Sequence, residues 1–179
     1  MKISNILSSI LNLILIAGLI FWAVQAHAIT IRLKYDQDFE TQLECIAQNI
    51  YHEARNESEL GMRAVAWVTL NRVQSSAYPT TACDVVFQAK VDSNGNPIKN
   101  KCQFSWFCDG KTDRILNPEK WAQSVLVASD VMRNYSKYPD QIGNAIMYHA
   151  NYVKPAWASD YKKVVSIDAH IFYTEKVAN

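Results

Sequence analysis

Charge imbalance is the first thing this 179-residue sequence lacks: 18 Lys and Arg stand against 17 Asp and Glu, a net charge of +1. No basic run is longer than Lys162-Lys163. A surface so balanced gives no electrostatic reason to expect nucleic acid or an anionic membrane as partner. Internal repeats and low-complexity tracts are missing too. Cysteine is scarce, and the spacings between Cys45, Cys83, Cys102 and Cys108 are 38, 19 and 6, not the C-x-x-C pairs of a zinc site. An even, widely spaced set reads instead as two disulfides formed in an oxidising compartment. Four thiols allow three pairings, and sequence alone does not choose among them. The pairing carried forward joins Cys102 to Cys108 and Cys45 to Cys83.

Two metal motifs begin and are not completed. His52-Glu53 opens an H-E-x-x-H site, but the second histidine would fall on Asn56. In VDSNGNPIKN (91–100), Asp92 and Asn94 lack the twelve-residue layout and closing glutamate of a calcium loop. The Asn-Gly pair and the proline there mark an exposed hairpin or loop turn. No metal or other cofactor is expected.

The N-terminus reads as an export segment. Met1-Lys2 precedes a mostly apolar run from Ile10 to Val24, and Ala26-His27-Ala28 offers a small-x-small cleavage site. Residues 1–28 are therefore expected to be a signal peptide, with an uncleaved membrane anchor as the alternative. Residues 29–179 then suit one compact domain with a real core and leave no room for a second. The domain is expected outside the cytoplasm, as a monomer in the periplasm or cell envelope, touching membrane only if the N-terminal segment is retained.

Along the domain, residues 29–35 read as a short alternating lead-in. Phe39, Leu43, Ile46, Ala47, Ile50 and Ala54 then recur at spacings of three and four, predicting an amphipathic helix from about Asp38 to Arg55. Asn56 with Glu59 reads as a helix cap with its acid, opening a second helix to about Val73. That helix is apolar on nearly every side and should be central. A short element is expected from Cys83 to Gln88. Asn117-Pro118-Glu119 opens another helix, with Trp121, Val125, Ala128 and Met132 on one face and Leu126 beside them. Beyond Pro139, AIMYHA, KKVVSI and HIFYT predict two or three strands. The layout is helices first and a small antiparallel sheet last, an α+β domain.

Glu53 lies seven residues after Ile46 and three after Ile50, so it points within about 20° to 60° of the apolar face at about 100° per residue. A carboxyl pushed towards the core has its charged form disfavoured, which suits a general acid that must stay protonated near neutral pH. The competing role is a structural ion pair with Arg55, Arg63 or Arg72. His52 should flank the same place. CQFSWFCDG (102–110) and YHANYVKPAW (148–157) cluster aromatic rings with amides and hydroxyls, a mixture that suits sugar rings, whose C–H faces stack while their hydroxyls and acetamides hydrogen-bond. Phe104 is expected to fill the core, whereas Trp106 and Trp157 fit core and cleft equally.

The blocks NIYHEARNESELGMRAVAWVTLNRV, YPTTACDVVFQ, CQFSWFCDG and AIMYHANYVKPAWA, in this order, closely resemble the spore-cortex-lytic SleB/CwlJ-type cell-wall hydrolase family, over about residues 43–173. The resemblance implies a small lysozyme or lytic-transglycosylase-like fold and an enzyme that cuts the glycan strands of peptidoglycan. It places the catalytic glutamate on Glu53, and cleft lining on Asn71, Gln103, Phe104 and Ser105. Trp106, Tyr148, His149 and Trp157 are added as substrate-binding candidates from their composition. A hydrolase would employ a second carboxylate, for which Glu57, Glu59, Asp84, Asp109 and Asp160 are open candidates. A glutamate acting alone implies a lytic transglycosylase, the favoured outcome. The rivals are a hydrolytic muramidase or glucosaminidase, a zinc amidase built on His52, His149 and His170, and a non-catalytic wall-binding module. The four cysteines fit an exported protein, so a spore role does not carry over. A periplasmic wall-remodelling enzyme or a phage lysis enzyme fits better.

Overall fold

The computed structural model describes residues 3–136 and 141–176; Met1, Lys2 and Pro139 lie outside them. The chain divides into two units, one ending at Glu40 and the other starting at Thr41. Helix α1 (Ile3–Ala54) includes residues 29–35, which corrects the expected lead-in. No glycine or proline stands between Ile29 and Ala54, so nothing local stops helix propagation. The first unit exposes Leu13, Phe21, Trp22 and Val24 among other apolar residues. By length and composition its helix is long and apolar enough to cross a membrane.

In the second unit, residues 41–54 of α1 bury Ile46, Ala47 and Ile50 completely. Helix α2 (Glu59–Gln74) is buried from Gly61 to Thr69 except at Arg63, the central position its composition called for. The short α3 (Ala82–Val86) follows, capped by the Thr81 hydroxyl. A hairpin of β1 (Ala89–Val91) and β2 (Pro97–Cys102) projects beyond it, its turn closed by Asp92 accepting from the N–H groups of Asn94 and Asn96. Helix α4 (Pro118–Asn134) starts as expected, with Asn117 accepting from the Lys120 N–H. Its buried face is Ser124, Val127, Ala128 and Val131, while Leu126 is 70% exposed. Of the expected Trp121–Val125–Ala128–Met132 face only Ala128 is fully buried, so the buried face is rotated from it. The Tyr51 hydroxyl accepts from the N–H groups of Leu116 and Asn117, fixing the helix entry, and Asp130 pairs with Arg63 of α2.

Strands β3 (Met147–Ala150), β4 (Tyr161–Ile167) and β5 (His170–Lys176) form an antiparallel sheet in the order β3-β5-β4. The β4–β5 turn is stitched to the start of α2. Ser58, not Asn56, is the helix cap: its hydroxyl accepts from the Gly61 N–H and donates to the Asp168 carboxylate at 2.6 Å, which also takes the Ser58 N–H at 2.9 Å. Glu57 accepts from the Ala169 N–H at 3.1 Å. Serine wins the cap because Asp168, held at φ 48°, completes its hydrogen bonds. The disulfides pair Cys45 with Cys83 and Cys102 with Cys108. The first ties α1 to α3. The second closes a six-residue link around the loop that carries Gln103 to Phe107.

Candidate active site

A cleft of about 520 Å³ opens where the last turn of α1, the 103–109 loop, strand β3 and the start of β5 meet. Glu53 lines it, delivered by the last turn of α1. The Tyr148 hydroxyl donates to Glu53 Oε2 at 3.1 Å. Among the described residues, Oε1 has no hydrogen-bond partner. Burial pushes the Glu53 carboxyl above its ordinary value, while the Tyr148 hydrogen bond and the Arg72 charge partly oppose the rise. None of the ion pairs among the described residues involves Glu53. Arg55 reaches the Tyr51 carbonyl and lies over its ring, and Arg63 is taken by Glu59 and Asp130. The geometry is that of a half-buried carboxyl on a cleft wall.

Arg72 is the remaining cation and it lines the same cleft, only 2% exposed. Its Nε donates to the Ile146 carbonyl at 2.7 Å, and its guanidinium lies 4.9 Å from the Phe104 ring centroid and 5.3 Å from that of Tyr78. Gln103, with its amide oriented to satisfy both groups, accepts from Nη1 and Nη2 at 3.2 and 3.1 Å. Burial lowers the guanidinium from its ordinary range. Sequence reasoning weighed Arg72 only as an ion-pair partner. Its signal was a lone charge on the nonpolar side of a buried helix. The Tyr148 phenol is driven well above its ordinary value by burial and by the Glu53 charge, so it stays a donor. Tyr148 is therefore less a sugar platform than the group that holds the carboxyl.

The other expected residues distribute unevenly. Phe104 and Trp106 are 3% and 8% exposed and pack with Val85 and Val86, so both serve the core while an edge faces the cleft. The Trp106 indole N–H donates to buried Asn49 at 3.0 Å, and its ring stacks on His52 at 4.4 Å. Ser105 is exposed on the wall. His149 and Trp157 line the opposite side, packed edge to face at 5.5 Å, and His149 Nε2 shares a hydrogen bond with the Tyr173 hydroxyl at 2.9 Å. Asn71 is not on this cleft. It donates to the carbonyls of Gly143 and Ala145 and accepts from Tyr135, tethering the segment before β3. The cleft also takes in Tyr152, 82% exposed, and Asp109, neither of which was singled out as a wall residue.

Of the five candidate second acids, only Asp109 lines the cleft. Glu57 is engaged by Ala169, Glu59 by Arg63, Asp84 by Thr81 and Asp160 by Ser159. His52, His149 and His170 all reach the cleft wall, yet among the described residues no three His, Cys, Asp or Glu side chains are grouped to hold a metal ion. The arrangement offers one carboxyl whose charged form burial disfavours, a donor behind it, and aromatic walls.

Comparison with known proteins bears on the family and the fold. The cell wall hydrolase family model matches residues 56–173, starting three positions after Glu53. The chain is 28% identical over 134 residues to a spore cortex-lytic enzyme of Bacillus cereus, covering 74% of this chain and 44% of that protein. It is 27% identical to one from Oceanobacillus iheyensis, covering 41% of it. It thus spans less than half the length of the curated relatives it matches. Among solved structures, the catalytic domain of the germination-specific lytic transglycosylase SleB from Bacillus anthracis aligns with a TM-score of 0.54 and 28% identity, over 74% of this chain and 93% of that one. The Bacillus cereus SleB catalytic domain aligns with a TM-score of 0.52 and 25% identity, over 75% and 91%. The α+β architecture is that of these lysozyme-like catalytic domains.

Proposed function

The chain belongs to the cell wall hydrolase family, and from that premise we propose that it cuts peptidoglycan glycan strands between N-acetylmuramic acid and N-acetylglucosamine, as a lytic transglycosylase with Glu53 as its one catalytic acid. The observation that carries the reading is the cleft-lining, charge-disfavoured carboxyl of Glu53, held at Oε2 by Tyr148 with Oε1 unpartnered. The proton sits on Oε1 and passes to the bridging oxygen as the bond from that oxygen to the muramic acid C1 breaks. The carboxylate then takes the proton of the sugar's own 6-hydroxyl as that oxygen bonds to C1. A 1,6-anhydro end results, no water is consumed, and Glu53 is again protonated. Gln103, Ser105, Trp106, His149 and Trp157 line the glycan's path.

Asp109 favours a second reading. Because it shares the cleft, it could activate water and yield a hydrolytic muramidase or glucosaminidase. Mass spectrometry of the fragments released from purified sacculi separates the two: anhydro ends support the transglycosylase, reducing ends the hydrolase, and freed peptides neither. Glu53→Gln should lower turbidity clearance about a hundredfold or more while the protein stays folded; clearance near wild type sinks the assignment.

Residues 1–28 serve as the export signal, and the domain that follows acts as a monomer in the cell envelope. The exposed apolar stretch of α1 and the two disulfides support export. N-terminal sequencing of the mature protein distinguishes cleavage after Ala28 from a retained anchor.

A further inference from the structure

His170 opens β5, paired with Ala150 of β3 on one side and Ile167 of β4 on the other, and it lines the cleft while being only 7% exposed. The mechanism above does not use it. Its ring stands edge to face with Tyr148 at 5.2 Å, and Tyr148 holds Glu53, so the imidazole is one ring removed from the reacting carboxyl. Its Nδ1 is shut off from solvent with no hydrogen-bond partner. Among the described residues its Nε2 likewise has no hydrogen-bond partner, and the ring borders the cleft.

A neutral imidazole has one N–H and one bare nitrogen. A buried, unpartnered N–H is the rarer and costlier orphan, so the dry Nδ1 is the bare one and Nε2 carries the hydrogen. Burial keeps the ring neutral by lowering its affinity for a second proton; Glu57 and Asp168 pull the other way, and His149 adds to the lowering. The cleft is thus offered a fixed donor with no acceptor beside it on the same group. Hydroxyls can meet a donor or an acceptor equally well, and ring and bridging oxygens are weak acceptors. The group on every sugar of such a strand that accepts strongly and does not donate from the same atom is the acetamide carbonyl.

We propose that His170 binds the N-acetyl carbonyl of a sugar beside the scissile bond, donating from Nε2, and so makes the cleft selective for N-acetylated strands. The assignment rests on the glycan-cutting reading. His170→Phe keeps the ring and removes the donor; His170→Gln restores an N–H. On intact sacculi the phenylalanine variant should lose roughly fivefold to tenfold in kcat/KM, and the glutamine variant should recover part of it. Melting temperature should not fall in His170→Phe, because the nitrogen it deletes from the interior has no partner. On enzymatically de-N-acetylated sacculi wild type should drop and the gap between it and His170→Phe should close. A gap of the same size on both substrates, or a phenylalanine variant as active as wild type on intact sacculi, overturns the assignment of His170 while leaving the glycan-cutting reading standing. Failure of wild type to release any fragment from intact sacculi overturns both.

Discussion

Replacing Tyr148 with phenylalanine isolates one hydrogen bond. The ring would keep its packing against Phe104, His170 and Phe172, since only the hydroxyl that donates to Glu53 Oε2 at 3.1 Å is removed. A hydrogen bond to a charged partner contributes about 1.5–3 kcal/mol and one to a neutral partner about 0.5–1.5 kcal/mol. Tyr148 therefore favours the carboxylate over the carboxylic acid by about 1–1.5 kcal/mol, which is about one pH unit at 1.36 kcal/mol per unit. Without it the Glu53 carboxyl, already raised by burial, loses the strongest influence opposing that rise. The alkaline limb of the pH–rate profile for sacculus clearance should move upward by about one unit. Plateau activity should fall, because Oε2 is no longer held. A limb that stays in place or moves downward refutes the idea that the hydroxyl tunes Glu53, whatever happens to the plateau.

Burial raises the folded-state pKa of Glu53, so its stabilising contribution is present below the unfolded-state value and is lost as pH climbs through the raised one; Glu53→Gln should therefore melt higher than wild type at neutral pH, with the advantage vanishing in acid. From loop length alone, losing Cys45–Cys83 should cost about 4 kcal/mol and losing Cys102–Cys108 about 2 kcal/mol. Paired serine variants, compared by thermal unfolding and clearance, should show the larger activity loss for the second bridge, which clips the wall bearing Gln103 to Trp106. Gly61→Ala would drive a methyl into the Asp168 carboxylate and against Glu57 Cβ and should cost about 1–3 kcal/mol, with the Asp168 part of that cost absent in an Asp168→Ala background. Additive losses in the two would show that the stitch between α2 and the β4–β5 turn is not what that glycine protects.

Much of the architecture was legible in the residues because it is set by local periodicity. The three-and-four spacing around Ile46 and Ile50 aims Glu53 towards the interior, the apolar run from Met62 to Leu70 makes a central helix, and the β-branched and aromatic blocks after position 145 become the sheet. The spacing of the cysteines also admitted the pairing that is found. Periodicity says which face is buried, but not against what. Asn71 and Arg72 are neighbours on one helix, yet one tethers a loop away from the cleft and the other lies buried in its wall. The cap passed from Asn56 to Ser58 because an aspartate 110 residues away completes its hydrogen bonds. Helix α4 turned because Tyr51 and Arg63 hold it from other elements. In sequence Tyr148 is a substrate-binding candidate and His170 a ligand of the rival zinc site, and only the pairing of β3 with β5 sets one behind the acid and the other one ring further along the cleft. Those placements depend on contacts between segments far apart in the chain, whose energies exist only once the chain has closed on itself, so the fold decided them.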